Sequence, residues 1–504
     1  MNVTEQSIRE VVEAVVKSID LEKLAASVSG PAAVSSDGIY GDINSAVEAA
    51  GKAQKVLVSK PLELRGKIIS AMREVSLSHL EELSRLAVEE TGMGNVPDKI
   101  EKNRVAAEMT PGIEDITALS FRDERGMTVS YSAPYGVIGA IAPSTNPTET
   151  IINNCIGMIA AGNSVVFNPH PAAKEVSKRT ISLLNSAIIG AGGPAGLICT
   201  VAEPTIQTAQ TMMNHPVIDL LVVTGGPAVV EEALKSRKKI IAAGPGNPPV
   251  VVDETADITK AAQDIVTGAG LDNNIVCICE KEILAVSSIA DRLKTEMGAR
   301  GAFELNKEQT AKVMDLIFLQ ETAVSGSASA GSAVSSGTSA GAAVNPVAST
   351  SEALKYERPR NKKFVGKDAS YIAKAAGIDV PAGTKILLCE VDRYHPLVWS
   401  EQLMPVIPLV RLSTADEAID LASRCEGGNH HTAVMHSLNV ERLSKMERLL
   451  NCSLFVKNGA SCNGLGYGGP GFTSFTIASP TGDGFTSART FTRAKRTTLI
   501  EKKA

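Results

Sequence analysis

Several things are missing from this sequence, and each absence removes a class of protein. No apolar run approaches the ~18 residues that a membrane-spanning helix needs. No sign of charge dominates: 50 Lys and Arg stand against 55 Asp and Glu, for a net charge of −5. That balance provides no attraction to nucleic acid or to an anionic membrane surface. Residues 1–20 carry scattered charges and lack the continuous apolar core of a secretory signal. No internal repeat is evident, and no CxxC pair occurs. The eight cysteines (Cys155, Cys199, Cys277, Cys279, Cys389, Cys425, Cys452 and Cys462) follow no disulfide framework. Their scatter predicts reduced thiols in a cytoplasmic compartment and no metal site. A length of 504 residues leaves room for two or more domains and a sizeable core.

What is present begins with an amphipathic segment. Within residues 4–19, Ile8, Val12, Val15, Val16 and Ile19 share one helical face, with Arg9, Glu10, Glu13 and Lys17 off it. Residues 21–40 are small and polar and read as a flexible linker. A helix of this size at the end of a linker buries its stripe only by docking, and the linker's length favours a partner over its own domain. Residues 322–350 are a Ser/Ala/Gly tract, too poor in apolar side chains to offset the entropy of ordering, and are expected to be a disordered insertion.

From residue 41 the pattern turns globular. Helical stretches run through 42–57, 62–90 and 97–108, followed by a hairpin over 121–136. Strand–helix alternation then predicts an α/β fold with a parallel sheet, its sites at the carboxyl ends of the strands. One such end is Thr224-Gly225-Gly226, a strand-to-helix turn whose backbone amides suit a phosphate. Another, residues 244–253, is a stiff Gly/Pro turn into a strand, open to close ligand approach. Residues 463–496 are rich in Gly, Ser and Thr with interspersed Phe, and read as a mobile ligand-binding loop followed by a strand. In LDNNIVCICEKEI (271–283) two thiols lie one residue apart, and residue chemistry alone leaves open which of them is a nucleophile.

The order of these pieces resembles the aldehyde dehydrogenase family, in particular its CoA-acylating members from bacterial microcompartments. The resemblance rests on IAPSTNPTETIINN (141–154), DNNIVCICEKE (272–282), NKKFVGKDASYIAKAAGI (361–378), GGNHHTAVMHS (427–437) and GFTSFTIASPTGDGFTSARTFTRAKR (471–496). It implies a Rossmann-like cofactor domain (41–120 and 137–250), an α/β catalytic domain (251–460) and a small oligomerisation sheet (121–136 and 486–500). Cys277 takes the nucleophile position. Cys279, two residues on, points the same way in an extended chain, and a packing role is expected for it.

The resemblance further implies NAD and CoA as co-substrates, with the nicotinamide cofactor against Pro143, Thr145, Asn168, Thr224, Gly225, Gly226 and Glu401. Asn168 stands where relatives often carry lysine. Hydrolytic members place an asparagine oxyanion donor after a proline; here Thr145 occupies that position without a gap and Asn146 follows, and Asn146 is the favoured donor. Hydrolytic members also carry a glutamate base where Ala243 stands. That loss favours transfer of the acyl group to a thiol over attack by water. His430 and His431 are assigned no proton transfer. The expected reaction converts a short aldehyde to its acyl-CoA through a cysteine thioester, with propanal ranked before acetaldehyde and a hydrolytic enzyme as the rival. A homodimer or dimer of dimers, packaged by residues 1–20 against a microcompartment shell protein, completes the expectation.

Overall fold

The computed structural model describes residues 35–319 and 353–500, so the amphipathic start, most of the linker and the Ser/Ala/Gly tract lie outside the described residues. Two parallel sheets organise the rest. The first contains β1 (Ile39–Tyr40), β4 (Val137–Ala142), β5 (Ser164–Pro169), β6 (Ile198–Val201), β7 (Ile218–Thr224) and β8 (Lys239–Ala243), in the order β1-β6-β5-β4-β7-β8. Between β1 and β4 the chain forms β2 (Leu119–Asp123) and β3 (Gly126–Pro134). Strands β4 and β5 are buried along their whole length, as a parallel sheet covered on both faces requires. The strand order reverses direction at β4, which makes the loops after β4, β5 and β7 the switch-point crevice.

The second sheet contains β9 (Pro249–Val252), β10 (Glu282–Val286), β11 (Ala302–Leu305), β12 (Ile386–Val391), β13 (Val406–Leu412), β14 (Thr432–His436) and β15 (Leu454–Lys457), in the order β11-β12-β13-β10-β9-β14-β15. After two short strands, β16 (Ile477–Ala478) and β17 (Gly484–Phe485), the chain ends its described part in β18 (Thr492–Ile500). β18 pairs antiparallel with β3 over nine residues, from Thr492 opposite Pro134 to Ile500 opposite Gly126, and β2 flanks β3. This three-stranded sheet exposes Leu119, Phe121, Met127, Leu499 and Ile500.

Two helices place the chemistry. Helix Pro147–Ala160 starts directly after the β4 loop, with Pro147 in its first turn, and is buried on every side. Helix Val96–Met109 is capped by Asn95, whose side chain accepts from the Asp98 N–H at 2.9 Å. Its buried face is unusual, because Lys99, Lys102 and Asn103 lie on it beside Val105 and Ala106.

The structure corrects several expectations. Ile39 and Tyr40, read as linker, pair with β6, and Tyr40 enters the core. The helical stretch 62–90 breaks at His79 into Leu62–Ser78 and Leu80–Thr91. The last strand begins at Thr492 rather than 486, after a short turn of 3-10 helix at Ala488–Phe491. Residues 473–476, read as part of a mobile loop, are buried, and Phe475 and Phe491 belong to the largest apolar cluster.

Candidate active site

The site lies where the carboxyl edge of the first sheet meets the amino edge of the second. The sequence predicted carboxyl ends only, and half of the site departs from that rule. Pro143, Thr145 and Asn146 follow β4, and Asn168 sits in the last turn of β5. Thr224 ends β7 and Ala243 ends β8. By contrast Cys277 precedes β10, Glu401 precedes β13 and His431 precedes β14. The link between the two edges is the short segment 244–248 that joins β8 to β9.

The turn that carries Cys277, the expected nucleophile, follows three consecutive residues with left-handed backbone: Asp272 (φ 47°), Asn273 (φ 57°) and Asn274 (φ 64°). Asp and Asn tolerate that region better than other side chains, and such strain persists only where surrounding contacts enforce it. Each of the three side chains is tied down. Asp272 accepts from Lys99 Nζ at 2.9 Å, from Lys102 Nζ, and from the Asn95 N–H at 2.8 Å. Asn273 donates to Gly366 O and to Asp368 Oδ1, each at 2.9 Å. Asn274 donates to Ala269 O at 2.8 Å and Glu280 O at 3.0 Å. Lys281, fully buried, donates to Asn274 O at 2.7 Å. This explains why DNN stands ahead of the cysteine.

Residues 275–278 form a turn, so the extended geometry assumed for the two thiols does not hold. Cys277 keeps a part-exposed surface, while Cys279 is fully buried in the large apolar cluster, its thiol 3.7 Å from Leu271 O. All eight cysteines are free. Burial and then the nearby Glu401 carboxylate push the Cys277 thiol up to about 12, with Lys281 and Lys102 pulling the other way. The free protein therefore holds this thiol protonated at neutral pH, and attack requires that the proton be removed.

Gly246 brings the remaining groups together. A Cβ at this position would lie 2.7 Å from Cys277 O and 3.0 Å from the His431 ring, closer than real side chains come, so only glycine fits. The Gly246 N–H donates to Glu401 Oε1 at 3.2 Å, and Arg360 Nη1 lies 3.4 Å from Glu401 Oε2. His431, to which the sequence gave no proton-transfer role, is thus packed against the nucleophile turn. Burial, reinforced by the Lys281 charge, lowers its pKa to about 4, so the ring is neutral at pH 7. Its Nδ1 lies 2.8 Å from Thr432 Oγ1, and its buried Nε2 has no protein partner. His430 turns elsewhere, its Nδ1 2.8 Å from Leu450 O.

On the first sheet's edge, Asn146 is buried and immediately precedes the Pro147–Ala160 helix without a side-chain capping bond. Its Oδ1 accepts from Lys102 Nζ at 2.6 Å and its Nδ2 lies 3.4 Å from Thr145 Oγ1. The Thr145 carbonyl accepts from Lys99 Nζ at 3.1 Å. Pro143 and Thr145 are part-exposed on the same loop. Gly225 donates to Ala243 O at 3.4 Å, which places the glycine turn beside the end of β8. A Cβ on Gly226 would meet nothing within 4 Å, so its backbone faces open space suited to a phosphate-bearing cofactor. The Asn168 amide serves the fold: Oδ1 accepts from Thr208 Oγ1 at 2.6 Å and Nδ2 donates to Thr205 O at 3.4 Å, at the start of helix Ile206–Asn214.

A part-exposed cysteine packed against Gly246, in the segment that joins two parallel sheets, fits the thiol site that the sequence resemblance implies. The model of the aldehyde dehydrogenase family matches residues 30–309, and the chain belongs to that family. It is 45% identical to the acetylating acetaldehyde dehydrogenase EutE of Escherichia coli (strain K12), over 97% of this chain and 98% of that one. Among solved structures, the Rhodopseudomonas palustris propionaldehyde dehydrogenase with bound CoA and an acylated cysteine superimposes with a TM-score of 0.84 at 45% identity, covering 92% of this chain and 98% of that one. A propionaldehyde dehydrogenase from the Clostridium phytofermentans fucose utilisation bacterial microcompartment gives 0.83 at 43%, covering 92% and 98%.

Proposed function

We infer that the protein is a CoA-acylating aldehyde dehydrogenase: a short aldehyde, CoA and NAD⁺ give acyl-CoA, NADH and a proton through a thioester on Cys277. The observation that carries this reading is a part-exposed Cys277 beside Gly246 and His431; Ala243, where the resemblance leads one to expect a carboxylate base in hydrolytic members, ends the neighbouring strand. In this reading the Cys277 thiol gives its proton through His431 Nε2 to solvent as its sulfur adds to the aldehyde carbon, and the carbonyl π pair moves onto oxygen. The Asn146 NH₂ and the Cys277 N–H receive that charge. A nicotinamide cofactor, when bound, would accept the hydride released from the former aldehyde C–H as the oxyanion's electron pair re-forms the carbonyl, leaving a thioester on Cys277. The CoA sulfur then attacks this carbonyl, the bond to Cys277 breaks, and the thiol proton of CoA passes through His431 Nε2 to the departing Cys277 sulfur, which restores the starting state. With Nδ1 donating to Thr432 Oγ1, the neutral ring presents Nε2 as an acceptor. Thr224, Gly225 and Gly226 receive the cofactor phosphates, and Glu401, held by Gly246 and Arg360, faces its ribose; Pro143 and Thr145 line the same crevice.

Relatives act on acetaldehyde and on propanal, and propanal is the first substrate to test. Among the described residues no helix is long and apolar enough to cross a membrane. Residues 1–20 are read as a docking helix for a microcompartment shell protein, and deleting them is expected to abolish co-purification with shells. The exposed β2-β3-β18 sheet is read as the homodimer interface, to be tested by sedimentation after Phe121→Asp. The deciding assay follows NADH from propanal and NAD⁺ with and without CoA, for the native protein and Cys277→Ser. Turnover that needs CoA and vanishes in the variant supports the reading. Sustained turnover without CoA replaces it with a hydrolytic enzyme.

A further inference from the structure

Lys99, Lys102, Asp272 and Glu149 form a fully buried ionic cluster on the first-sheet side of the nucleophile turn. Burying charges in this way is costly unless the geometry of the pairs is good. A hydrophobic cluster would fill the same space without that penalty, so the cluster calls for a role beyond packing. Lys102 is its centre. Nζ donates to Asp272 Oδ2, lies 3.0 Å from Glu149 Oε1 without hydrogen-bond alignment, and donates to Asn146 Oδ1 at 2.6 Å. Burial alone would lower the ammonium's pKa, but Asp272 and Glu149 more than reverse this, so Lys102 stays charged.

An ammonium carries donors and no acceptor. The end of the Asn146 amide that faces it is therefore the oxygen, and the NH₂ end is turned away. Its partner is Thr145 Oγ1 at the long distance of 3.4 Å, which leaves at least one N–H free to donate. The Lys102 charge also acts on the Cys277 thiol, so the lysine and the amide it holds lie within electrostatic reach of the reacting sulfur.

We propose that Lys102 is a positioning residue for acyl transfer on Cys277: by holding Asn146 Oδ1 it fixes which way the amide faces and presents the Asn146 NH₂ to the developing oxyanion. The proposal rests on the reading of Asn146 as the side-chain donor. A flipped amide would instead offer its oxygen to the oxyanion, and like charge would repel. An amide already turned and polarised by a cation needs no reorganisation when the charge develops. The second donor is backed in a similar way. The Cys277 N–H belongs to the peptide whose carbonyl, Val276 O, accepts from the Cys279 N–H at 3.1 Å and from the buried Lys281 Nζ at 3.5 Å. The two ends of a trans peptide point in opposite directions. Holding that carbonyl inward therefore aims the Cys277 N–H outward, on the side of its own sulfur.

The test is a double-mutant cycle on the full chain, with aldehyde, NAD⁺ and CoA saturating: native, Lys102→Met, Asn146→Ala and the pair. Asn146→Ala is expected to lower kcat about 10²-fold. Lys102→Met is expected to lower kcat by about tenfold or more, with the KM for aldehyde unchanged. The double variant is expected to be no slower than Asn146→Ala alone, because the lysine acts through the amide. If the two losses multiply, Lys102 does not work through Asn146, and the proposal falls while the donor reading stands. If Asn146→Ala leaves kcat unchanged, the donor reading falls and the proposal with it. Where Lys102→Met fails to fold, Asn146→Asp carries the test. It keeps an oxygen for Lys102 and has no NH₂, so it should melt no lower than the native protein while losing the same 10²-fold in kcat. A clear drop in melting temperature would mean that Lys102 does not hold the residue 146 oxygen, and would overturn the proposal.

Discussion

The two edges that meet at the site are built on opposite plans. The carboxyl edge of the first sheet offers backbone and small side chains: Thr224 and Gly225 are part-exposed, and Gly226 is exposed with open space beside it. The amino edge of the second sheet is buried and pinned. Asp272, Asn273 and Asn274 sit in left-handed backbone held by side-chain hydrogen bonds, and Glu280, Lys281 and Glu282 are all fully buried. Under the proposed function, the difference follows from what each edge would handle. A reaction through a cysteine thioester exchanges its co-substrates on every cycle, so their side of the crevice must open. The nucleophile stays, and a displacement of about 1 Å there can cost 10²-fold in rate. Rigidity is concentrated where bonds change, and openness where ligands come and go.

The largest expected effect comes from breaking the pinned edge at its charge. Asp272→Asn keeps a side chain that tolerates left-handed backbone, so it isolates the loss of the carboxylate. Lys99 would then lose its buried carboxylate and Lys102 would keep only Glu149, and removing one partner of a buried pair typically costs about 3–5 kcal/mol. Urea denaturation should register that loss, and an unchanged midpoint would mean that the cluster does not hold the turn. Next in size is Gly246→Ala. Its Cβ would press on the carbonyl of Cys277 and on the His431 ring at once. A fall in kcat of about 10²-fold is expected by steady-state assay, with a smaller loss of stability. If activity survives, the nucleophile turn is less rigid than the comparison requires.

A subtler effect tests electrostatics on the same edge. The Cys277 pKa of about 12 predicts that alkylation by iodoacetamide rises about tenfold per pH unit from 7 to 10 without a plateau. A free cysteine levels off near its own pKa of about 8.5. Glu401 raises the Cys277 pKa, so Glu401→Gln should lower it and speed labelling at pH 8. Labelling that plateaus below pH 9 in the native protein would show that the turn stabilises the thiolate, contrary to the burial argument.

How much of this was legible beforehand differs between the two edges for a physical reason. The open edge is local in sequence: a strand, a glycine pair and a helix occupy adjacent positions, so DLLVVTGGPAVVEEAL displays its own structure. The pinned edge is made of distant pairs. Lys102 and Asp272 are 170 residues apart, and periodicity places lysines on the outer face of a helix, where most belong. His431 went unassigned for the same reason, since its neighbours Gly246 and Cys277 come from distant loops, ahead of β9 and β10. The charged run Glu280, Lys281, Glu282 directly ahead of an apolar strand was the one available hint that charges are buried there. β1 escaped because two residues carry no period. Residues 473–476 escaped because small polar residues read as loop whether or not a core closes over them. The resemblance to a known family supplied what periodicity did not, Cys277 over Cys279, and the turn at 275–278 supplies the physical reason: one thiol keeps some surface and the other has none.

The smallest expected effect tests whether the open edge is glycine-rich for the fold or for a ligand. Gly226 has φ −70° and ψ 169°, a backbone that alanine adopts without strain. Nothing lies within 4 Å of the place its Cβ would take. As the residue capping helix Pro227–Leu234, alanine is a poorer choice than glycine, but it also reduces the freedom of the unfolded chain, and each effect amounts to about 1 kcal/mol or less with opposite sign. Gly226→Ala should therefore leave the melting temperature of the free protein nearly unchanged, whereas Gly246→Ala should not. If the cofactor phosphates approach this turn, the added methyl group meets them, and the KM for NAD⁺ should rise several-fold with kcat intact. A KM that does not move, in a variant of native stability, would take the phosphates away from the β7 turn. The openness of this edge would then have to be explained by CoA instead.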